Sequence, residues 1–133
     1  NYTGIDISPG LLRRAYSRFK ESGFEMFELY VSTSENLPFP DRQFEFAFCH
    51  LSLNFFTDIE LFIRELKRVL NPGATFFCSV PVQERKPTRS TIHGTLYTEY
   101  ELKTFLESGG FSFDGSSYEN GAFMYFSAKL NAD

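Results

Sequence analysis

The sequence predicts an α/β chain: an open, mostly parallel sheet covered by helices on both faces, with an antiparallel strand near the C-terminal end. Three observations predict it. Apolar runs of strand period alternate three times with stretches of helical period. Capping signals open the helical stretches, and glycine or Asn-Pro-Gly closes them. Finally, two alternating runs, "FSFDG" and "AFMYFSAKL", follow one another directly, joined by a turn containing "ENG".

The first strand is "YTGIDI", a short β-branched run. Ser8 and Pro9 after it read as N-cap and first helical position, where proline's missing N–H costs nothing. In the helix that follows, Leu11, Leu12, Ala15, Tyr16 and Phe19 share a face, Arg13, Arg14, Arg18 and Lys20 lie mostly on the others as a solvated surface, and Gly23 stops the run. "FELYV" at 27–31 is a second strand. "NLPFPD" is an extended connector that its prolines keep from being helical. In "FEFAFCHLSL", Phe44, Phe46 and Phe48 alternate at the strand period, and this third strand is expected to be well buried. Thr57 and Glu60 have capping-box spacing, Phe56 and Leu61 that of a hydrophobic staple, and Ile59, Phe62, Ile63, Leu66, Val69 and Leu70 form a helical stripe. Lys67 and Arg68 complement the C-terminal end of that helix before "NPG" ends it. "ATFFCSV" is the fourth strand. Residues 82–97 are polar, carry Arg85, Lys86, Arg89 and His93, and read as a long loop or lid. Thr98 and Glu101 repeat the capping-box spacing, with Tyr97 and Leu102 as staple, so a third helix runs to about Ser108 and stops at Gly109 and Gly110.

A chain of 133 residues is expected to form a single domain, residues 1–133. Seventeen Phe and no Trp predict a Phe-rich core. A formal net charge of -4 without a basic stripe argues against a nucleic-acid surface. No apolar run has the ~18 residues of a membrane span and no signal peptide leads the chain. Cys49 and Cys78 stand singly inside apolar runs, so neither a zinc site nor a disulfide framework is suggested, and a reducing cytoplasm fits. The first residue is not Met, which hints that it is not the natural start. In sheets of this kind ligands bind beyond the C-terminal strand ends, which singles out Asp6 to Ser8, Ser32 to Glu35, Cys49 to Ser52, and Ser79 to Val82.

"GIDIS", "SENLPFPDRQFEFAF", "DIELFIRELKRVLNPGATFFCSVP" and "YTEYELKTFLESGGF", in this order and spacing, resemble the class I S-adenosylmethionine-dependent methyltransferases, in particular the small-molecule group often labelled type 11. The resemblance runs over nearly the whole chain, and "LPFPD" followed by "RVLNPG" is its most specific part. It implies a Rossmann-like three-layer α/β/α fold with seven strands in the order 3-2-1-4-5-7-6, strand seven antiparallel. Strands two to seven can be assigned. Strand one and the G-x-G-x-G loop after it cannot, so the chain is expected to begin one strand-helix unit late and to be a truncated domain, a fragment of a full enzyme. The sheet edge that this leaves exposed could pair two copies as a homodimer.

The resemblance also implies site residues. Asp6 matches the acid that holds the cofactor ribose, because a carboxylate accepts from two vicinal hydroxyls at once; a plain strand-end acid capping the next helix is the alternative. Ile7 would pack on the adenine. Thr33 and Ser34 stand where the family often has Asp-Ala, so the Ser34 backbone contact survives while the acid contact to adenine does not; both could equally be turn residues. His50, near the transferred methyl, would be a general base on the acceptor or else a packing residue. Leu51 would line the same pocket. His93 is a weaker candidate, Arg85, Lys86 and Arg89 could attract an acidic substrate group, and Phe55 and Phe56 could face a substrate. The cofactor would be S-adenosylmethionine, with S-adenosylhomocysteine as product. The implied function is methyl transfer to a small-molecule acceptor, since neither an N-P-P-Y element nor a metal cluster is present. The alternatives are a non-catalytic binding or scaffold module that has lost the glycine-rich loop, and a nicotinamide-dependent enzyme, against which "LPFPD" and "RVLNPG" weigh.

Overall fold

Local chemistry at each helix start sets the architecture of a computed structural model, which describes residues 1–87, 92–119 and 121–132. The chain divides into two compact units, Asn1–Pro38 and Phe39–Asp133. In the first, strand β1 (Tyr2–Asp6) leads into helix α1 (Pro9–Glu21) and then strand β2 (Phe27–Val31). The Ser8 hydroxyl accepts the Leu11 N–H at 3.2 Å, and Pro9 is the first helical residue, as the sequence predicts. Beyond the helix, Gly23 takes φ +81°, which a side chain would resist. The strands β1 and β2 pair in parallel from Tyr2↔Phe27 to Asp6↔Val31. Phe19 of α1 packs on the ring of Phe27 at 4.8 Å and on Tyr2 and Phe24 at 5.4 Å, while Arg13, Arg14, Arg18 and Lys20 are exposed.

The second unit runs β3 (Phe44–His50), α2 (Ile59–Val69), β4 (Leu70–Pro81), α3 (Glu99–Ser108), β5 (Phe111–Tyr118) and β6 (Phe123–Leu130). Its sheet has the order β3-β4-β6-β5, with β3 parallel to β4 and β6 antiparallel to both neighbours. These two sheets contain the pairings 3-2 and 4-5-7-6 of the expected order, including the antiparallel last strand. Helix α3 carries the full capping box: the Glu101 N–H donates to Thr98 Oγ1 and the Thr98 N–H to Glu101 Oε1, both at 3.1 Å. At α2 the expectation is off by one. The N-cap is Asp58, whose Oδ1 accepts the Leu61 N–H at 3.0 Å, and Phe56 packs on Phe62, not Leu61, at 4.7 Å. A carboxylate at a helix's positive end is the stronger acceptor, which favours Asp58 over Thr57.

Helices α2 and α3 bury Ile59, Phe62, Ile63, Leu66, Val69, Leu102 and Leu106 against Phe76, Val80, Phe111, Met124, Phe126 and Ala128 of the sheet. Two sequence expectations meet the structure here. The expected Phe content of the core is met in part: Leu, Ile and Val outnumber Phe, but Phe62, Phe76, Phe111 and Phe126 are buried in it and Phe44, Phe56, Phe105 and Phe113 pack against it. And β3 is an edge strand: Ala47 and Cys49 face the core, but Phe46 and Phe48 are 61% and 73% exposed on the other face, stacked against Phe77. The β3–β4 register jumps from Phe44↔Leu70 to Phe46↔Thr75, so Asn71, Pro72 and Gly73 bulge out, with Gly73 at φ +84° and Asn71 Nδ2 donating to Glu45 Oε1 at 2.7 Å.

One side chain ties the two most specific sequence blocks together. Arg68 of "RVLNPG" donates from Nη1 to the Phe39 carbonyl at 2.7 Å and to Asp41 Oδ1 at 3.0 Å. Its Nε and Nη2 meet the two carboxylate oxygens of Glu65 at 2.7 and 3.1 Å, a bidentate pair. The acids hold the guanidinium proton still more tightly than usual. Backbone bonds Arg42 N–H to Arg68 O and Gln43 N–H to Val69 O, at 2.9 and 2.8 Å, complete the clamp that delivers the chain into β3.

Candidate functional site

In the first unit, parallel pairing brings the ends of β1 and β2 side by side, and with them most of the predicted cofactor residues. The Ser32 N–H donates to the Asp6 carbonyl at 3.1 Å. Asp6 is half-buried, and its Oδ1 accepts the Ser8 N–H at 2.8 Å, which supports the turn into α1. The side chain makes no other hydrogen bond among the described residues, so its second oxygen remains an acceptor. Support of the turn into α1 and ligand acceptance are thus compatible in one carboxylate. Ile7 is 71% exposed, an apolar surface with nothing packed over most of it. Thr33 is exposed and Ser34 half-buried, its hydroxyl donating to Glu35 Oε2 at 3.0 Å, while the Asn36 N–H donates to the Thr33 carbonyl at 3.4 Å. Both are turn residues, with the Ser34 backbone N–H beside the β2 end.

In the second unit the ends of β3 and β4 converge on Ser79. The His50 ring is exposed and its Nδ1 lies within a short hydrogen bond of the buried Ser79 hydroxyl, while the Leu51 N–H donates to the Ser79 carbonyl at 2.7 Å. In the tautomer where Nδ1–H donates to Ser79, Nε2 is left as a proton acceptor. Leu51 has φ +53°, a left-handed conformation that costs a non-glycine residue about 1–2 kcal/mol. That kink turns the chain sharply at the strand end, and the Ser52 hydroxyl secures it by donating to the His50 carbonyl at 3.0 Å.

Beyond it, a short 3-10 turn (Leu53–Phe55) buries Asn54, which anchors the polar loop. Asn54 Nδ2 donates to the His93 carbonyl at 2.7 Å, and its own carbonyl accepts the Thr95 N–H at 2.7 Å. A Cβ on Gly94 would sit 2.1 Å from the Asn54 carbonyl oxygen, so only glycine allows this approach. Asn54 Oδ1 is buried with no partner among the described residues. His93 is exposed, Phe55 is exposed, and Phe56 packs on the core. Arg85 lies over the Tyr118 ring at 4.2 Å. Burial, then the hydrogen bond from Tyr118 to Glu99 at 2.9 Å, pushes that phenol up to about 12. Arg85 is therefore engaged in tying the loop to β5. Lys86 is exposed, and Arg89 lies outside the described residues.

Sequence reasoning placed Cys49 and Ser79 at the ligand-binding strand ends but found neither the contact of Ser79 with His50 nor the pairing of Cys49 with Cys78, which depend on a strand register with no local signal. It missed Asn54, which does have a signal: it is the only polar residue in the run "LNFF". Among the described residues no cluster of His, Cys, Asp and Glu could hold a metal ion, and no helix is long and apolar enough to cross a membrane.

A family model described as a methyltransferase domain matches residues 1–78, more than half of the chain. The demethylmenaquinone methyltransferase of Listeria welshimeri is 29% identical over 103 residues, which are 77% of this chain and 43% of that protein. The uncharacterized methyltransferase YcgJ of Bacillus subtilis is 33% identical over 73 residues, 55% of this chain and 29% of its own length. The chain thus spans less than half the length of these relatives. Among solved structures, a SAM-dependent methyltransferase from Methanosarcina mazei superposes with a TM-score of 0.82 at 21% identity, over 98% of this chain and 82% of that one. The [4+2]-cyclase SpnF superposes with a TM-score of 0.86 at 16% identity, over 98% and 66%. At such identities these structures speak for the fold alone.

Proposed function

The chain belongs to the methyltransferase domain family whose model it matches over residues 1–78, and from that premise we propose that it serves S-adenosylmethionine-dependent methyl transfer to a small-molecule acceptor, as a fragment of a longer enzyme. The observation that carries this reading is Asp6: a half-buried carboxylate at a strand-to-helix turn, one oxygen committed to the Ser8 N–H and the other available. The carboxylate's remaining acceptor capacity fits two donating vicinal ribose hydroxyls. The cofactor of this family supplies, when bound, a methyl group on a sulfonium that a nucleophile displaces directly.

The chain's own residues then bind, orient and move one proton. Asp6 accepts from the ribose hydroxyls, Ile7 offers its exposed side chain to the adenine face, and the Ser34 backbone N–H addresses the ring. Thr33 leaves that ring without the acid contact many family members make. His50, held at Nδ1 by Ser79, takes the acceptor's proton at Nε2 as the nucleophile attacks, and Leu51 supplies an apolar wall beside it. The fragment reading is supported by the relatives' length. A homodimer through the edge of β3 is supported by the place of that strand at the end of its four-stranded sheet, and a cytoplasmic setting by two free thiols.

The test is transfer of labelled methyl by the full-length gene product to a panel of phenols, amines and demethylated quinones. His50→Ala is expected to lower kcat about 100-fold or more with cofactor binding kept, and Asp6→Ala to raise the cofactor KM about 10-fold or more. Loss of neither parameter in either variant, with transfer intact, overturns these roles.

A further inference from the structure

The chain's two cysteines are set directly opposite one another by the parallel register of β3 and β4, Cys49 against Cys78. Residues in register leave the sheet on the same face, and the spacing of about 4.7–4.9 Å between neighbouring strands lies within the Cα separations of about 4.4–6.8 Å that a disulfide spans. Both thiols face the α2 side of the sheet in contact with one core cluster. Their surroundings differ. Cys78 is buried mid-strand, whereas Cys49 is half-buried where β3 ends and the chain kinks at Leu51. Contact with Cys78, then the backbone at Ser52 and Leu53, holds the Cys49 thiol below its ordinary range against the opposing effect of burial. At Cys78 the same contact, together with burial, pushes the thiol well above it. A nucleophilic, half-accessible thiol with a protonated partner at its back is the arrangement of an attacking and a resolving cysteine.

We propose that Cys49 and Cys78 form a modification site that closes to an intrachain disulfide by exchange with a small-molecule disulfide. The Cys49 thiolate attacks one sulfur of the disulfide, forming a mixed disulfide and releasing one thiolate, which takes up the proton that Cys49 gave to solvent. Cys78 then loses its proton, attacks the Cys49 sulfur and releases the second thiol. Both protein thiols are oxidised and one external disulfide is reduced to two thiols. Cys49 immediately precedes His50 and Leu51, and Cys78 immediately precedes Ser79, so the bond pins the strand pair beside the His50–Ser79 contact. This inference stands independently of methyl transfer.

Intact-mass analysis and thiol titration of the folded protein exposed to oxidised glutathione test it. The expected result is loss of both thiols together, a mass lower by two hydrogens, no retained adduct, and full recovery on reduction. Cys78→Ala is expected to stop at a stable glutathione adduct on Cys49, and Cys49→Ala to leave Cys78 unmodified. A stable adduct on the unaltered chain, a disulfide-linked dimer, or no reaction by the folded chain while the urea-unfolded chain reacts would each overturn the proposal. The unaltered chain decides the matter even where a variant fails to fold.

Discussion

Replacing Arg68 by Met keeps most of the side chain's apolar stem and deletes the fork that joins the proline connector to α2 and β3. The magnitude follows from the partners. The charge-assisted bond to the Phe39 carbonyl is of the kind worth about 1.5–3 kcal/mol. The pair with Asp41, whose side chain is 74% exposed, adds roughly 0.2–1 kcal/mol, and the i,i+3 pair with Glu65 about 0.3–0.5 kcal/mol. The sum is about 2–4.5 kcal/mol, a large part of a domain's usual net stability of about 5–15 kcal/mol. Urea denaturation followed by circular dichroism measures it, with Arg68→Lys as an intermediate case because an ammonium cannot make the bidentate contact. A loss under about 0.5 kcal/mol in Arg68→Met would refute the clamp and leave the co-occurrence of the two sequence blocks without a physical cause.

Three further outcomes are expected. Asp58→Ala should cost about 1 kcal/mol of stability and Thr57→Ala less, which equilibrium unfolding of the two variants decides. Gly94→Ala should weaken the anchoring of residues 92–95 on Asn54, seen as faster amide exchange at Thr95 than in the unaltered protein. Tyr118 should titrate near pH 12 instead of 10.0. Because its folded value is raised, its contribution to stability is fully present below pH 10.0 and lost as pH rises through about 12. Tyrosinate absorbance against pH should lack that late step in Tyr118→Phe, and Arg85→Ala should push the step higher, since the cation beside the ring favours the phenolate.

What was legible in the sequence was what local chemistry decides. Ser8-Pro9 and the Thr98–Glu101 capping box announce their helices because cap and acceptor lie within one turn. Asp6 was legible as the acid at the turn from β1 into α1 for the same reason, since a strand running straight into a helix cap leaves its last acid at the strand's C-terminal end, which is what makes it a candidate. Thr57 and Asp58 both offer an acceptor at a plausible spacing, and the backbone angles that choose between them are not written in either residue. Alternating phenylalanines in β3 read alike whether both faces are covered or one is open, so Phe46 and Phe48 were expected inside and are found outside. The contacts of His50 with Ser79 and of Cys49 with Cys78 join strands 29 residues apart. Only the parallel register creates them.

The proposed role of Asp6, holding the ribose of an S-adenosyl cofactor, is read out by calorimetric titration of S-adenosylhomocysteine into the protein and into its Asp6→Ala variant, with circular dichroism confirming that both are folded. Saturable binding by the protein, weakened about 10-fold or more in the variant, is the predicted result, in line with the loss of charge-assisted hydrogen bonds. Equal affinity in the two folded proteins would contradict it and leave Asp6 only as the acceptor that supports the turn into α1.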